Sequence, residues 1–251
     1  MQNILVTLIF CIVFCTGCFK DNQVKTYTLY RSVGAENAHL YGTEKNVQGF
    51  TDDLFFEIAK NEGFKINFVT VPNRQMLSLL GRNRVDGVLT TQIPAHRDEK
   101  FYLLSDPYFS FGPVLLLRAD DTLEHFKSIK VKVIGFGRNY GEDLTTREDL
   151  GYVFRPYEQV ITAIEELISS RIDAVVVDSI YGHQLASGLY ANKIKVATAL
   201  FKVTKFRLAV KKGKNDELIT LFNTGLEKLR KDGTYDKMLE YWALYEPKME
   251  Q

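Results

Sequence analysis

Leu-Leu-Gly-Arg-Asn-Arg-Val-Asp-Gly-Val-Leu-Thr-Thr at residues 79–91 returns, altered but recognisable, as Leu-Ile-Ser-Ser-Arg-Ile-Asp-Ala-Val-Val-Val-Asp-Ser at residues 167–179. Arg84-Val85-Asp86-Gly87-Val88 of the first copy matches Arg171-Ile172-Asp173-Ala174-Val175 of the second. Before the second copy, Val160, Ile161, Ile164, Leu167 and Ile168 recur at helical spacing. The apolar run 174–177, bounded by aspartates, then suits a strand buried on both faces. The first copy repeats the pattern with Met76, Leu77 and Leu80, followed by Val88 and Leu89. Two such helix–strand units imply two similar open α/β lobes.

Outward from the echo, the pattern predicts a helix over 52–62 stopped by Gly63 and a strand at 65–71. A strand at 114–118 follows the Asp106-Pro107 turn, and another is expected at 131–135. A helix after Asn139, a strand at 206–211 and a long helix over 216–230 complete the series. Strands alternating with helices of this length indicate parallel α/β sheets. Ligands of such sheets bind beyond the carboxyl ends of the strands. Five residues past Asp86 and Asp173 stand Thr91 and Asp178, equivalent strand ends expected to face a cleft, with Thr90 beside the first. The plainer roles are a helix N-cap for Asp178, ahead of Ser179, and strand termination for Thr90 and Thr91.

The chain has 251 residues, 45% hydrophobic and 25% charged, which excludes a disordered tail, a collagen-like fibre and a polytopic membrane protein. Its 32 basic and 31 acidic side chains leave a net charge of +1, so no chain-wide field attracts a nucleic acid. The length falls between one domain and two. No Pro-rich or Ser-rich linker interrupts residues 25–245. His39, His96, His125 and His183 are scattered without metal-ligand spacing, and no Ser, Cys and His constellation suggests nucleophilic catalysis. Neither a metal, a cofactor nor a catalytic residue is expected.

Residues 4–15 are almost wholly apolar, yet as a helix they reach only about 18 Å, short of the roughly 30 Å core of a bilayer. Residues 1–17 therefore read as an export signal, although Met1-Gln2-Asn3 lacks the usual positive charge. Cys11, Cys15 and Cys18 are the only cysteines, which excludes a disulfide framework in the rest of the chain. Cys15-Thr16-Gly17-Cys18 resembles the lipobox of bacterial lipoproteins. That resemblance implies cleavage before Cys18, lipidation of its thiol, an extracytoplasmic location on a membrane anchor, and a short polar tether over 18–25.

Gly49-Phe50-Thr51-Asp52-Asp53-Leu54 resembles the signature of the bacterial extracellular solute-binding proteins of family 3, the amino-acid-binding components of ABC importers. Ser105-Asp106-Pro107-Tyr108, Arg171-Ile172-Asp173-Ala174 with Asp178, residues 222–226 and residues 231–237 follow in the family's order. The resemblance implies the type II periplasmic binding protein fold, two α/β lobes joined by a two-strand hinge. Lobe 1 would comprise 26–110 and 206–245, and lobe 2 would comprise 111–205, with 246–251 as a tail and hinges at Phe111-Gly112-Pro113 and near Val203. It further implies a monomer that captures a small polar ligand, an amino acid or similar carboxylate, and passes it to a membrane permease.

An amino-acid zwitterion needs a cation for its carboxylate and an anion for its ammonium. The family's pattern places these at Arg97 and Asp178, although Asp86 to Arg97 is one residue shorter than usual and Gln92-Ile93-Pro94 replaces the familiar strand-end sequence. Arg138 and Asn139 fall where the family opens a helix whose free N–H groups can bind a carboxylate, and Asn139 could equally cap that helix. Lobe 1 departs most from the pattern at Ser32, after the first strand, and at Asn73 and Arg74, where a stacking aromatic is expected. Tyr30, Tyr41 or Phe109 could supply a ring instead. A cyclohexadienyl dehydratase on the same fold, with Asp178 or Glu36 as general acid, and a sensor lipoprotein without a transporter remain as alternatives.

Overall fold

The computed structural model describes residues 24–32, 44–71, 76–91, 99–137, 151–198 and 203–247. In chain order the first elements are β1 (Thr26–Ser32), α1 (Glu44–Glu62), β2 (Lys65–Val71), α2 (Met76–Gly81), β3 (Gly87–Thr90), β4 (Tyr102–Leu104) and β5 (Phe109–Phe111). Next come β6 (Pro113–Arg118), α3 (Leu123–Ser128), β7 (Lys132–Gly137), β8 (Tyr152–Tyr157), α4 (Val160–Ile168), β9 (Ala174–Asp178), α5 (Ser179–Ser187) and β10 (Ile194–Thr198). The chain closes with β11 (Thr204–Lys211), α6 (Asp216–Lys231) and α7 (Thr234–Tyr241).

Helix α1 forms because Val47, Phe50, Thr51, Leu54, Phe55, Ile58 and Ala59 repeat at steps of three and four and bury one face. It begins eight residues before the sequence-predicted start at Asp52, since Val47 and Phe50 extend the same stripe across Gly49. Gly63, at φ 76°, ends it in the left-handed conformation. The strand predicted at 65–71 is β2, paired in parallel with β1 along its length. The predicted helix after Asn139 lies outside the described residues.

Two sheets form. The first has the order β2-β1-β3-β11-β4 with β5 also on β11, and the second has the order β10-β6-β9-β7-β8. Both are mixed, where the sequence pattern predicts parallel sheets. β1 is parallel to β2 and β3, and β7 to β8 and β9. β11 and β6 run antiparallel to their neighbours. Each is the first strand after the chain crosses from one sheet to the other, and so enters its new sheet from the opposite end. This is an α/β fold of two open lobes joined by two strands, the type II periplasmic binding protein architecture.

The two crossovers pair with each other, Thr204 with Phe111, Lys205 with Ser110 and Phe206 with Phe109. Their inner faces stack in rings, Phe111 on Phe206 at 5.2 Å and Phe109 on Phe111 at 6.2 Å. These rings continue the core of the first sheet, which contains Tyr27, Leu29, Phe50, Phe55, Leu208 and Phe222. Ile180 from α5 of the second unit is fully buried in that same core.

The family-like motifs hold this framework together. Phe50 lies 5.6 Å from both Phe109 and Tyr235, Asp52 pairs with Arg31, and Asp53 accepts the Trp242 indole N–H at 2.9 Å. In the Ser105-Asp106-Pro107-Tyr108 turn, the Ser105 amide donates to the Leu208 carbonyl at 2.8 Å. The Asp106 amide donates to Asn223 Oδ1 at 2.9 Å, and the Tyr235 hydroxyl to the Tyr108 carbonyl at 2.7 Å.

Candidate functional site

The sequence echo corresponds to one turn built twice. Asn83 and Ser170 both adopt positive φ, 55° and 58°, three residues before the aspartates. The Thr28 amide donates to Asp86 Oδ2 at 2.9 Å, and the Val133 amide donates to Asp173 Oδ2 at 2.7 Å. Each carboxylate thereby pins the strand that follows it, β3 or β9, to its parallel neighbour, β1 or β7. This sets equivalent carboxyl ends at Thr90–Thr91 and at Asp178.

Asp178 is the last residue of β9 and lies opposite Pro113, the first residue after the crossover. It is only 3% exposed. Its Oδ1 accepts the Ile180 amide at 2.9 Å, so it does serve as the N-cap of α5. Burial pushes its pKa up to about 7, against the opposing pull of the Ile180 and Tyr181 amides. No cation among the described residues pairs with it. The next residue ties the start of α5 to the first crossover, for the Ser179 amide donates to the Gly112 carbonyl at 2.8 Å. A buried carboxyl acceptor with spare oxygen capacity can take an ammonium group.

Thr90 is buried at the end of β3, directly opposite Arg207 of β11, and Thr91 is half-buried just beyond. Ser32 ends β1 in register with Val71. Gln92, Arg97, Asn73, Arg74, Arg138, Asn139 and Cys18 lie outside the described residues, as do Tyr41 and Glu36. Of the rings considered as ligand platforms, Phe109 is fully buried in the core, and Tyr30 packs against the cluster of Leu80, Val85, Val88 and Ala209. His183, half-buried on α5, stacks on Tyr245 at 4.3 Å, and its burial lowers its pKa.

Lys205 and Arg207 were not marked by the sequence motifs. The signal for them is alternation in β11, where Phe206, Leu208 and Val210 enter the first core and the intervening residues take the other face. Elsewhere, an open hollow of about 530 Å³ lies along α6 and the Asp106 turn. Its cations are already engaged, Arg230 with the Pro107 carbonyl and Lys231 with Glu227. Among the described residues no group of His, Cys, Asp and Glu could hold a metal ion, and no helix is long and apolar enough to cross a membrane.

The sequence is 28% identical to a probable histidine-binding protein of Neisseria gonorrhoeae over 244 residues, 91% of this chain and 90% of that protein. It is 27% identical to the L-cystine-binding protein TcyJ of Escherichia coli (strain K12) over 206 residues, 80% of this chain and 76% of that one. Among solved structures, the unliganded open L-cystine solute receptor of Neisseria gonorrhoeae matches the fold with a TM-score of 0.67 at 20% identity, over 88% of this chain and 94% of the receptor. These named relatives are binding proteins, which favours binding over the dehydratase alternative. The sequence profile of the bacterial extracellular solute-binding proteins, family 3, matches residues 33–245, and the chain belongs to that family.

Proposed function

We propose that this protein is a lipid-anchored, extracytoplasmic receptor that captures an amino acid between lobe 1 (26–110 with 206–245) and lobe 2 (111–205) and delivers it to an ABC permease. The observation that carries this reading is Asp178. It is a buried carboxyl at a strand end beside the crossover, with an elevated pKa and no cationic partner among the described residues. A ligand ammonium would supply the missing charge, and Arg97, at the family's matching position, would take the carboxylate. Ligand bridging the strand ends would shift an open protein towards a closed one that the permease recognises.

A thermal-shift screen of the purified protein against the standard amino acids, cystine and small carboxylates tests this. Ligand at 100 times its dissociation constant should add about 2.7 kcal/mol of stability. Absence of any shift would refute the amino-acid reading. Anchoring is tested by labelled fatty-acid incorporation, expected in the natural chain and lost in Cys18→Ser. The monomer is tested by light scattering.

A further inference from the structure

Strand β11 carries two cations on one face at the mouth of the site. Phe206 and Leu208 enter the core, so Lys205 and Arg207 stand on the opposite face. Because β11 runs antiparallel to β3, its first half lies at the carboxyl end of β3, and Arg207 falls opposite Thr90. Directly paired residues in such a ladder share a face, with Cβ atoms about 4.5–5.5 Å apart. Lys205 is paired with Ser110, three residues before Pro113, which is itself the partner of Asp178. Three extended residues span about 10 Å. The two cations thus stand on the second crossover strand, and the Asp178 carboxyl lies opposite the end of the first, three residues beyond the Lys205 pair.

Neither cation meets a carboxylate among the described residues. Arg207 is half-buried and donates one N–H to the Ser105 carbonyl, which leaves further donors of its five-donor guanidinium. Fastening the Ser105 turn does not require that charge. The turn is already held by Ser105 and Leu208, whose amides donate to the Leu208 carbonyl at 2.8 Å and to Ser105 Oγ at 2.9 Å. A half-buried guanidinium with no counter-charge among the described residues favours an incoming anion and repels an incoming cation.

We propose that Arg207, assisted by Lys205, sets the charge selectivity of the cleft by binding a second carboxylate, so that the ligand is an acidic amino acid. This rests on the binding role proposed above. One anion at Asp178 and two cations on β11 complement a ligand with one ammonium and a carboxylate on its side chain, and disfavour a cationic side chain.

Isothermal titration of the purified full chain with L-glutamate, L-aspartate, L-glutamine and L-arginine tests this. An acidic ligand should bind about tenfold or more tightly than L-arginine. Arg207→Gln should weaken that acidic ligand about tenfold or more, leave the unliganded melting temperature unchanged, and spare L-glutamine, with partial recovery in Arg207→Lys. An unchanged acidic-ligand affinity in Arg207→Gln, or a wild-type preference for L-arginine, overturns the proposal. Should Arg207→Gln fail to fold by circular dichroism, Lys205→Gln replaces it at an exposed site. That variant should slow acidic-ligand association and reduce its salt dependence, and wild-type rates would overturn the proposal. Binding of only neutral or basic amino acids removes the charge selection but preserves the receptor reading, whereas folded protein that binds no amino acid removes both.

Discussion

The Asp173 carboxylate accepts the Val133 amide at 2.7 Å, while the Asp173 amide donates to the Val133 carbonyl at 2.9 Å. Asp86 makes the same reciprocal pair with Thr28, at 2.9 and 3.0 Å. One side chain thus extends the parallel ladder past its last backbone pair in each lobe, and it fixes the height of the strand end five residues on. Replacing Asp173 by Ala should leave the Val133 N–H unpaired and cost about 1–3 kcal/mol in urea unfolding. Equal stability of Asp173→Ala and wild type would show that the pair does not hold the strand.

Asp178 makes stability and binding respond to pH in opposite senses. Its folded pKa is raised to about 7 by burial, so between the ordinary carboxylate value and about 7 the folded protein holds a proton that the unfolded chain has released. Stability of the unliganded protein should therefore fall as pH rises through that window and level off above it. Asp178→Asn keeps an effective N-cap and should flatten this dependence, gaining on the order of 1–3 kcal/mol at pH 8. Thermal melts at pH 5 and pH 8 provide the measurement, and parallel slopes in the two proteins would contradict the assignment.

Amino-acid affinity should show the reverse trend. An ammonium group pairs with the carboxylate, so binding should strengthen by up to about tenfold per pH unit below 7. Asp178→Asn should bind more weakly at pH 8 and lose this slope. Titration calorimetry at several pH values reads both effects, and an equally steep slope in the variant would place the titrating group elsewhere.

Gly49 is required by contact. A Cβ at this position would lie 2.1 Å from the Trp242 ring, whose indole is held by Asp53. Gly49→Ala must displace Trp242, and overpacking of this kind typically costs about 1–3 kcal/mol. Adding Trp242→Phe should recover part of the loss in thermal melts. No change in Gly49→Ala alone would mean that the indole moves freely.

Ile180 couples the lobes, since it belongs to α5 beside the second sheet yet is fully buried in the core of the first. Ile180→Ala should cost about 2–5 kcal/mol and broaden or split the calorimetric unfolding transition. A single transition of unchanged width and midpoint would show that the contact carries no coupling.

Much of this fold was legible because its causes are local. Burial on both faces makes 174–177 a continuous apolar run, and the strand predicted at 65–71 has the observed bounds. Asp178 was legible as both strand end and cap because the two roles share one position in the echo. The direction of β6 and β11 was not legible, for a strand's own pattern carries no record of the end from which the chain enters the sheet. Arg207 was missed for a related reason: only the β3–β11 register brings it to Thr90, across more than a hundred residues of chain.

By itself, then, the sequence determined two α/β units, their repeated Asp-terminated turns and the family to which they belong, because spacing and burial periodicity act over one helix or one strand. Tertiary structure decided which distant residues become neighbours. The GFTDDL signature became scaffolding under Trp242 and Arg31, Ile180 joined the opposite core, and Lys205 came opposite Ser110, Arg207 opposite Thr90 and Asp178 opposite Pro113. Those relations depend on strand pairing between distant segments, which the whole hydrophobic core selects and no local pattern encodes.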